Sequence, residues 1–588
     1  MKPSLVALTS LALAALSGCS IPYSDLEEQQ FNTCGSDSDC AAGSYCAVVG
    51  ENSTCVASSV DLDALVFEVR PAAGNGRLSL SSTLIDPGSF SAGDGTQVIH
   101  IDLKVPEYVN ISPGRVFLPC AGDIPVPARV VLKPVPSLFG LLEGQTYEAA
   151  STTDDLGNEA FAVSAPPGVY DIYLEPKPDL AATPDCLSAP PIYLPQQTLS
   201  KDTGFSLHAA DPLLLTGTLK LSEKEDFTQW YLEVVEPKTG QVISESIQPE
   251  QVGIALEVPF QLAFDWTAQK AYTPIVRLRP PAGSAKPFIL WSLDAIALQG
   301  IDDTGKVPVK LDVSGIATQP RQVGGNVFHD GQPVTATVTL QSTSLSDDEL
   351  TFFATVAETD SAGHFEALLP PGTYNVIARP HSEDLGQGGS VLGTGAVTWD
   401  VAPGKDYFSG SSVMVPSATT LAGTVSAPGG GPAKVEVRLA PSRTGAVTYL
   451  GKALSAEIQP RPATTVSEDG AFKVPVDSGK LDLTIVPPGG SGYPWLVRPR
   501  LLVPEVTPDA APAPPVVALG DLTLQNPVVV RGRIVDSAGF PLTGATLRAW
   551  IPVGGDLDGK AAPGAVQIGE TVADVDGNYF LLLPPSIQ

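Results

Sequence analysis

A short box recurs five times along this chain of 588 residues. It is a Gly, one variable residue, then a branched apolar residue. It reads GRVFL at Gly114, GTLKL at Gly217, GNVFH at Gly325, GTVSA at Gly423 and GRIVD at Gly532. Successive boxes stand 103, 108, 98 and 109 residues apart. A period near one hundred is that of a whole small domain, not of a solenoid turn. Whatever the chain folds into must therefore be built from repeated, similar modules.

A second box lies inside each period: an acidic turn, a Gly, an aromatic, alternating apolar residues and often Pro-Pro-Gly-x-Tyr. The instances are DDLGNEAFAVSAPPGVYDIYLEP from Asp154, DSAGHFEALLPPGTYNVIARP from Asp360, SEDGAFKVPVDSGKLDLTIVPP from Ser467 and DVDGNYFLLLPP from Asp574. Asp-Gly pairs supply the positive φ of hairpin turns, and apolar alternation at period two marks half-buried strands. The second period is the poorest copy: PFQLAFDWTAQKAYTPIVRLRP keeps the strands and lacks the Asp-Gly turn. A third box closes each period, as VIHIDLKV, TGFSLHA, VPVKLDV, GSSVMV and LGDLTL. With 56 Gly and 56 Pro between short apolar runs and no sustained helical periodicity, the fold class is all-β. We expect a tandem array of antiparallel Greek-key β-sandwiches.

Taken together, the Gly-x-Val strand, the acidic Gly-aromatic hairpin and Pro-Pro-Gly-x-Tyr-x-Val resemble the carboxypeptidase regulatory-like domain, a transthyretin-like sandwich. The resemblance runs from Gly114 to the end and is best in the third and fourth periods. It implies accessory or surface modules and does not imply peptidase activity, which would reside in a separate zinc domain. A generic immunoglobulin-like array is the rival and would change the topology alone.

The two ends of the array break the pattern. Residues from Val60 to Asn110 have no Gly box before them and match the second half of a period. From Gly532 the chain offers only a first half, without the Tyr-x-Val and closing strands. Three arrangements fit, ranked in this order: a truncated last unit; a different phasing of the units; two end halves that complete each other or accept a strand from another protein.

The amino terminus reads MKPSLVALTSLALAALSGCS. Lys2 and the apolar Leu5–Leu16 form a signal-peptide pattern, too short to span as a mature helix. Leu16-Ser17-Gly18-Cys19 resembles the bacterial lipobox, which implies cleavage before Cys19 and acylation of that residue. By the same resemblance Ser20, where an Asp would favour inner-membrane retention, leans to the outer membrane. Six further cysteines remain: Cys34, Cys40, Cys46, Cys55, Cys120 and Cys186. In an oxidising compartment an even number suggests disulfides. The first four crowd into 22 residues that cannot bury a core, so two bridges of open connectivity are the expected staple. Zinc is the weaker alternative, because no C-x2-4-C knuckle is present. This stretch resembles the Cys-rich modules of myxobacterial surface lipoproteins, and loosely the dickkopf-type motif. A third bridge between Cys120 and Cys186 falls within one period.

The formal charge is 34 − 64 = −30, which repels nucleic acid and anionic membranes. Five His residues, His100, His208, His329, His364 and His381, form none of the zinc-protease patterns, and no Walker or nucleophile-elbow motif occurs. DVDGN at Asp574 would place Pro585 at the twelfth position of a calcium loop, so a hairpin turn explains it better. Trp230, Trp266 and Trp291 cluster in the second period, either as core or as a sugar-stacking platform.

The expected organisation is a signal peptide over 1–18, a tether over 19–33, a Cys-rich disulfide module over 34–59 and a half-unit over 60–112. Sandwiches then follow over 113–213, 214–320, 321–418 and 419–527, with an incomplete unit over 528–588. The function expected is that of a non-enzymatic, lipid-anchored scaffold or adhesion array of the bacterial outer membrane, without cofactor, metal or nucleic-acid partner. Its joints would be stiffened by Pro-rich segments such as PDAAPAPP, Pro508–Pro515. The alternative is a carbohydrate- or protein-binding module, with a glycan or surface protein as partner.

Overall fold

In the strand Gly372–Pro380 every second residue is buried, Tyr374, Val376, Ala378 and Pro380, as its period-two alternation demands. The same logic organises the rest of the computed structural model. It describes the chain from Ser44 to Ile587 apart from residues 50–51, 58–64, 73–80, 86–97, 135–145, 154–157, 182, 184, 187, 226–229, 237–239, 248–254, 266–273, 294–305, 314–318, 345–350, 382–390, 405–406, 443–447, 450–451, 454–458, 505–514 and 554–563. Apart from one 3-10 turn at Pro119–Ala121, the described elements are strands.

Among the described residues these strands make five two-sheet sandwiches of common design. The first shows the pattern. One sheet runs Tyr147–Ala150, Ala128–Pro134, Gly168–Pro176, Ile192–Leu199, all antiparallel. The facing sheet pairs the hairpin strand Glu159–Ala165 with the opening strand Val109–Phe117, which pairs in turn with the closing strand Thr203–His208. This last pairing is parallel, and so is its counterpart in the other four sandwiches. The sheets are thus antiparallel as expected, except where each module's last strand returns beside its first.

The glycine of each first box has a defined partner. Gly114 lies opposite Phe161, Gly217 opposite Phe260, Gly325 opposite Phe365, Gly423 opposite Phe472 and Gly532 opposite Tyr579. The aromatic of the second box therefore sits across from the glycine of the first in all five sandwiches, including the second. A Cβ at Gly325 would stand 2.7 Å from Trp399 and 2.9 Å from Phe365. At Gly114 it would collide with the Phe161 ring, and at Gly217 with the Val309 carbonyl of the closing strand. At Gly114, Gly325 and Gly423 aromatic rings fill the space that a side chain would need, and at Gly217 and Gly532 a backbone carbonyl of the closing segment does.

The Pro-Pro-Gly-x-Tyr box has a similarly local cause. The buried Tyr374 hydroxyl donates to the Pro370 carbonyl at 2.7 Å, and Tyr170 does the same to Pro166 at 2.8 Å. The buried phenol is thereby satisfied within its own turn, and the following strand is fixed in place. Asp360 and Asp574 each accept backbone N–H groups two and four residues on, at 2.7–2.9 Å, ahead of Gly363 (φ +72°) and Gly577 (φ +76°). Both stretches are hairpin turns, DVDGN included.

The fifth sandwich is assembled from both ends of the array. Its four-stranded sheet runs Ser81–Ile85, Leu65–Arg70, Thr546–Val553, Gly564–Val572. Its other sheet places Asn578–Leu583 beside the opening strand Val528–Val535, and that strand beside Val98–His100 and Leu103–Lys104. The order matches that of the first sandwich position for position. The third box VIHIDLKV therefore closes the unit whose Gly box is Gly532. Of the three arrangements weighed above, the structure has the third in its first form: the two end halves complete each other. The half-unit of residues 60–112 and the unit of 528–588 form one sandwich, and the four others are inserted between its halves. The opening strand of the first sandwich already begins at Val109.

Leu65, Phe67, Val69, Leu103 and Val105 share a core with Val528, Val530, Leu547, Ala549, Tyr579 and Leu581. Burying those five side chains contributes on the order of 10 kcal/mol, at about 1.5–3 kcal/mol each. Hydrogen exchange tests the closure. Amides of Val528–Val535 and Asn578–Leu583 should be protected in the intact chain, and their protection should fall about a hundredfold or more when residues 60–106 are removed. Packing at the box glycine is testable by Gly325→Ala, for which thermal unfolding should show a loss of about 1–3 kcal/mol from overpacking.

Candidate functional site: the closing seam and the joints

The seam is held by few but specific contacts. Leu65–Arg70 runs antiparallel to Thr546–Val553, with Phe67 opposite Ala549 and Val69 opposite Leu547. Val98, Ile99 and His100 lie parallel to Val529, Val530 and Arg531. Asp102 accepts the Arg533 backbone N–H at 2.9 Å, and Tyr579 donates its hydroxyl to the Ile101 carbonyl at 2.7 Å across 478 residues of sequence. Burial pushes the Tyr579 phenol pKa up, reinforced by Asp102, so the hydroxyl keeps its proton as donor.

The joints between neighbouring sandwiches differ in detail, and two of them are apolar: besides the first–second joint, Val497 and Trp495 of the fourth sandwich pack into the core of the fifth. Between the first and second, Val131, Tyr173 and Tyr193 form a row on the outer face of one sheet and join the core that holds Trp230 and Phe264. The Tyr173 and Tyr193 rings stack at 4.8 Å, and Lys133 lies 4.9 Å above Tyr173 while donating to Gln241 at 2.7 Å. Glu245 accepts from Ser188 at 2.8 Å and from the Ala189 N–H at 3.1 Å. The second and third sandwiches share a strand pairing, Phe288 opposite Phe352 and Ile289 opposite Thr351.

The third and fourth are joined by hydrogen bonds to an ion pair that lies within the fourth. Asp477, 2% exposed in its side chain, accepts from Arg461 Nε and Nη2 at 2.9 and 2.8 Å. It also accepts from the Thr394 N–H and hydroxyl at 2.9 and 3.0 Å. Arg461 reaches across to the Leu392 carbonyl at 2.6 Å, and Arg379 returns a hydrogen bond to the Gln459 carbonyl at 3.1 Å. Burial works against the Asp477 charge, but the Arg461 and Thr394 contacts outweigh it and hold the carboxyl below the usual range. Within the second sandwich, Glu233 is treated likewise: burial opposes its charge, and Arg277 at 2.6 Å, with Arg279 and Ser246, pulls its pKa down.

Between the fourth and fifth sandwiches lies a cleft of about 250 Å³. The loop Pro487–Tyr493 and Trp495 form one wall, and Glu570–Val575 with Phe580 the other. Its acidic groups are engaged: Arg548 donates to Glu570 at 2.7 Å, and Asp574 caps its own hairpin. The fifth and first sandwiches meet at the linker, where Ser537 donates to Glu107.

Several expected site residues fall outside the described residues: Leu16, Ser17, Gly18, Cys19, Cys34, Cys40 and Trp266. Cys46 and Cys55 are cross-strand partners in the hairpin Ser44–Val49, Asn52–Ala57. Cys120 and Cys186 are bonded, tying the turn after the first opening strand to the segment before Ile192–Leu199. This bridge belongs to the first sandwich and not to the Cys-rich stretch. Trp230 is fully buried and Trp291 packs against the same core, so these two are structural and make no platform. His329 is buried with Nδ1 at 2.8 Å from the Val415 carbonyl. His364 opens a strand beside its turn, and His208 stacks on Phe117. Among the described residues no three His, Cys, Asp or Glu side chains gather as metal ligands. Of the Pro-rich segment Pro508–Pro515 all but the last residue lies outside the described residues; the strands on either side of it, Leu496–Val503 and Val516–Thr523, belong to one sandwich.

Arg461, Asp477 and Glu233 did not stand out in the sequence. One signal was present: Asp477-Ser478-Gly479-Lys480-Leu481 occupies the place of Pro370-Pro371-Gly372-Thr373-Tyr374. An Asp had replaced the Pro whose carbonyl the absent Tyr would have used.

No family model matches the chain, and no curated protein matches it in sequence. Solved structures are similar at a distance. The Bacillus anthracis TIE protein is 12% identical over 71% of this chain and 74% of its own, with a TM-score of 0.15. A streptococcal ancillary pilin is 10% identical over 52% and 98%, at 0.19. BcpA, the major pilin subunit of Bacillus cereus, is 7% identical over 52% and 99%, at 0.15. With overlaps this loose, the fold rests on the strand order described above.

The ion-pair joint yields a pH test. Asp477 has a depressed folded-state pKa, so its contribution is complete above the unfolded value of about 3.9. It is lost as pH falls through the lower folded value. Asp477→Asn should cost about 3–5 kcal/mol at pH 7 by breaking a buried pair. The gap between variant and parent in thermal unfolding should stay level from pH 7 to about 5 and close below about pH 4.

Proposed function

We propose that this protein is a non-enzymatic scaffold of the bacterial cell envelope, tethered by lipid on Cys19, that carries five sandwiches on a closed backbone path. The observation that carries this reading is the seam. An array whose two end halves share one sandwich fixes the relative positions of the four inserted modules. The buried charges support it: Glu233 and Asp477 are both taken up by arginines in structural pairs. The cleft carboxylate of Glu570 is held by Arg548 and that of Asp574 by its hairpin. The strand order common to the five sandwiches supports tandem copies of one module, for which the repeat boxes suggest a carboxypeptidase regulatory-like domain. With both ends of the array in the fifth sandwich, the tether attaches there. The four others are then displayed as a loop rather than as a linear stalk.

Lipid attachment is tested by growing cells expressing the full chain with a labelled fatty acid. Label should enter the parent and be absent from Cys19→Ala, which should move from the membrane to the soluble fraction. Label retained on Cys19→Ala would overturn the anchor.

A further inference from the structure

The cleft between the fourth and fifth sandwiches has two unlike walls. On the side of the fourth, Pro487–Tyr493 is a loop of two prolines and three glycines, followed closely by Trp495. Gly490 and Gly492 hold positive φ, +79° and +75°, and the Ser491 N–H closes the turn on the Pro488 carbonyl at 3.2 Å. Lacking side chains, the glycines leave the loop's own main chain open to close approach by a bound molecule. On the side of the fifth, Glu570 and Asp574 bring carboxylates and Phe580 an aromatic ring. We propose that this cleft binds a neutral sugar residue, stacked on its aromatic side chains and hydrogen-bonded to both walls. Such a site would stand whether or not the chain is a lipid-anchored scaffold.

Charge narrows the ligand first. Arg548 donates to Glu570 Oε2 at 2.7 Å, and Gln567 to the same oxygen at 3.1 Å. Asp574 takes the N–H groups of Asp576 and Asn578 at 2.9 and 2.7 Å. A cation gains little from carboxylates so engaged, and an anion is repelled by a chain of net charge −30. Glu570 still keeps an acceptor to offer, because among the described residues its Oε1 takes no hydrogen bond. Size narrows it next. At about 250 Å³ the cleft is smaller than the pockets of about 300 Å³ upward that hold drug-sized ligands, so it suits a single ring and is short for an added peptide strand. Shape completes the case. Tyr493, Trp495 and Phe580 are each partly buried, held by packing while part of each side chain lines the cleft. Trp495 is fixed twice, against the core of the fifth sandwich and beside Arg438, whose guanidinium lies 5.9 Å from its ring centroid. Walls already in place need little ordering when a ligand binds. A pyranose offers aromatic rings a flat C–H face, and its hydroxyls both donate and accept. Here carboxylate oxygens accept on one wall and a glycine-rich main chain supplies N–H donors on the other. The sugar-stacking aromatics are then those of this joint and not the tryptophans of the second sandwich.

The test uses the full chain on an array of immobilised glycans ending in neutral hexoses, N-acetylhexosamines or acidic sugars, with lysine-rich and proline-rich peptides alongside. We expect saturable binding to a neutral glycan and none to the acidic glycans or the peptides. The free sugar of the best neutral glycan is then added to the unaltered chain. Amide exchange should slow at residues 487–495 and 570–575 and stay unchanged in the first three sandwiches. Tyr493→Ala and Glu570→Gln should each weaken binding about tenfold or more, the scale of one lost central contact. Tyr407→Ala, which removes an exposed ring of the third sandwich, should bind as the parent does. The proposal is overturned if no neutral glycan binds, if an acidic glycan or a peptide binds in preference, if both cleft variants bind like the parent, or if exchange slows elsewhere instead. The exchange measurement needs no substitution, so it decides between site and no site even where a cleft variant fails to fold. Neither readout depends on lipid at Cys19, so failure here is distinct from failure of the anchored reading.

Discussion

The architecture depends on one pairing: the glycine of an opening strand faces the aromatic of the hairpin strand that follows. Gly114 with Phe161, Gly325 with Phe365, Gly423 with Phe472 and Gly532 with Tyr579 set the register of each smaller sheet. Register is the vulnerable quantity in a strand, since a slip of one residue turns every side chain to the wrong face. A ring that fits only over a residue without a side chain discriminates sharply against that slip. The second sandwich keeps the same register, although there the Val309 carbonyl of the closing strand takes the space beside the glycine. It has lost the Asp-Gly turn, yet Gly217 still faces Phe260.

Closure follows from the same rule applied across the whole chain. Gly532 and Tyr579 set the register of a half-sandwich whose remaining positions, beside Thr546–Val553 and Val528–Val535, are unfilled by anything nearby in sequence. Hydrophobic burial decides what fills them. A strand with Leu65, Phe67 and Val69 on one face suits the site, and the free-energy cost of bringing distant segments together grows only with the logarithm of their separation. Separation of more than four hundred residues is therefore a small obstacle, the more so when the intervening modules are folded and joined.

Much of this was legible in the sequence. The repeat boxes gave the number and period of the modules, the hairpins and the strand class, because those features are local and have period two. The half-unit character of both ends was also visible, from VIHIDLKV without a preceding Gly box. That the halves meet was not, because pairing of Phe67 with Ala549 leaves no trace in either strand beyond apolar alternation. The joints were the least readable. Val131, Tyr173 and Tyr193 differ from ordinary outward residues only by what lies opposite them. Asp477 is the exception, since it breaks a repeated box and so announced a replaced contact.

The variety of the joints has a physical reason. Sandwiches with similar strands expose similar edges and faces, so a single kind of joint used throughout would let any module dock on any other. Here an apolar row joins one pair, a short strand pairing the next, hydrogen bonds to a buried arginine–aspartate pair the third, and Val497 with Trp495 beside a cleft the fourth. An apolar face placed against the Arg461–Asp477 pair would leave its hydrogen bonds to Thr394 and the Leu392 carbonyl unmade, a cost of about 1–3 kcal/mol for each buried group. The covalent chain fixes the order of the modules, and these joints fix how each sits on the next. Together they bring the two end halves of the array to the same place, where burial of Leu65, Phe67 and Val69 closes the fifth sandwich.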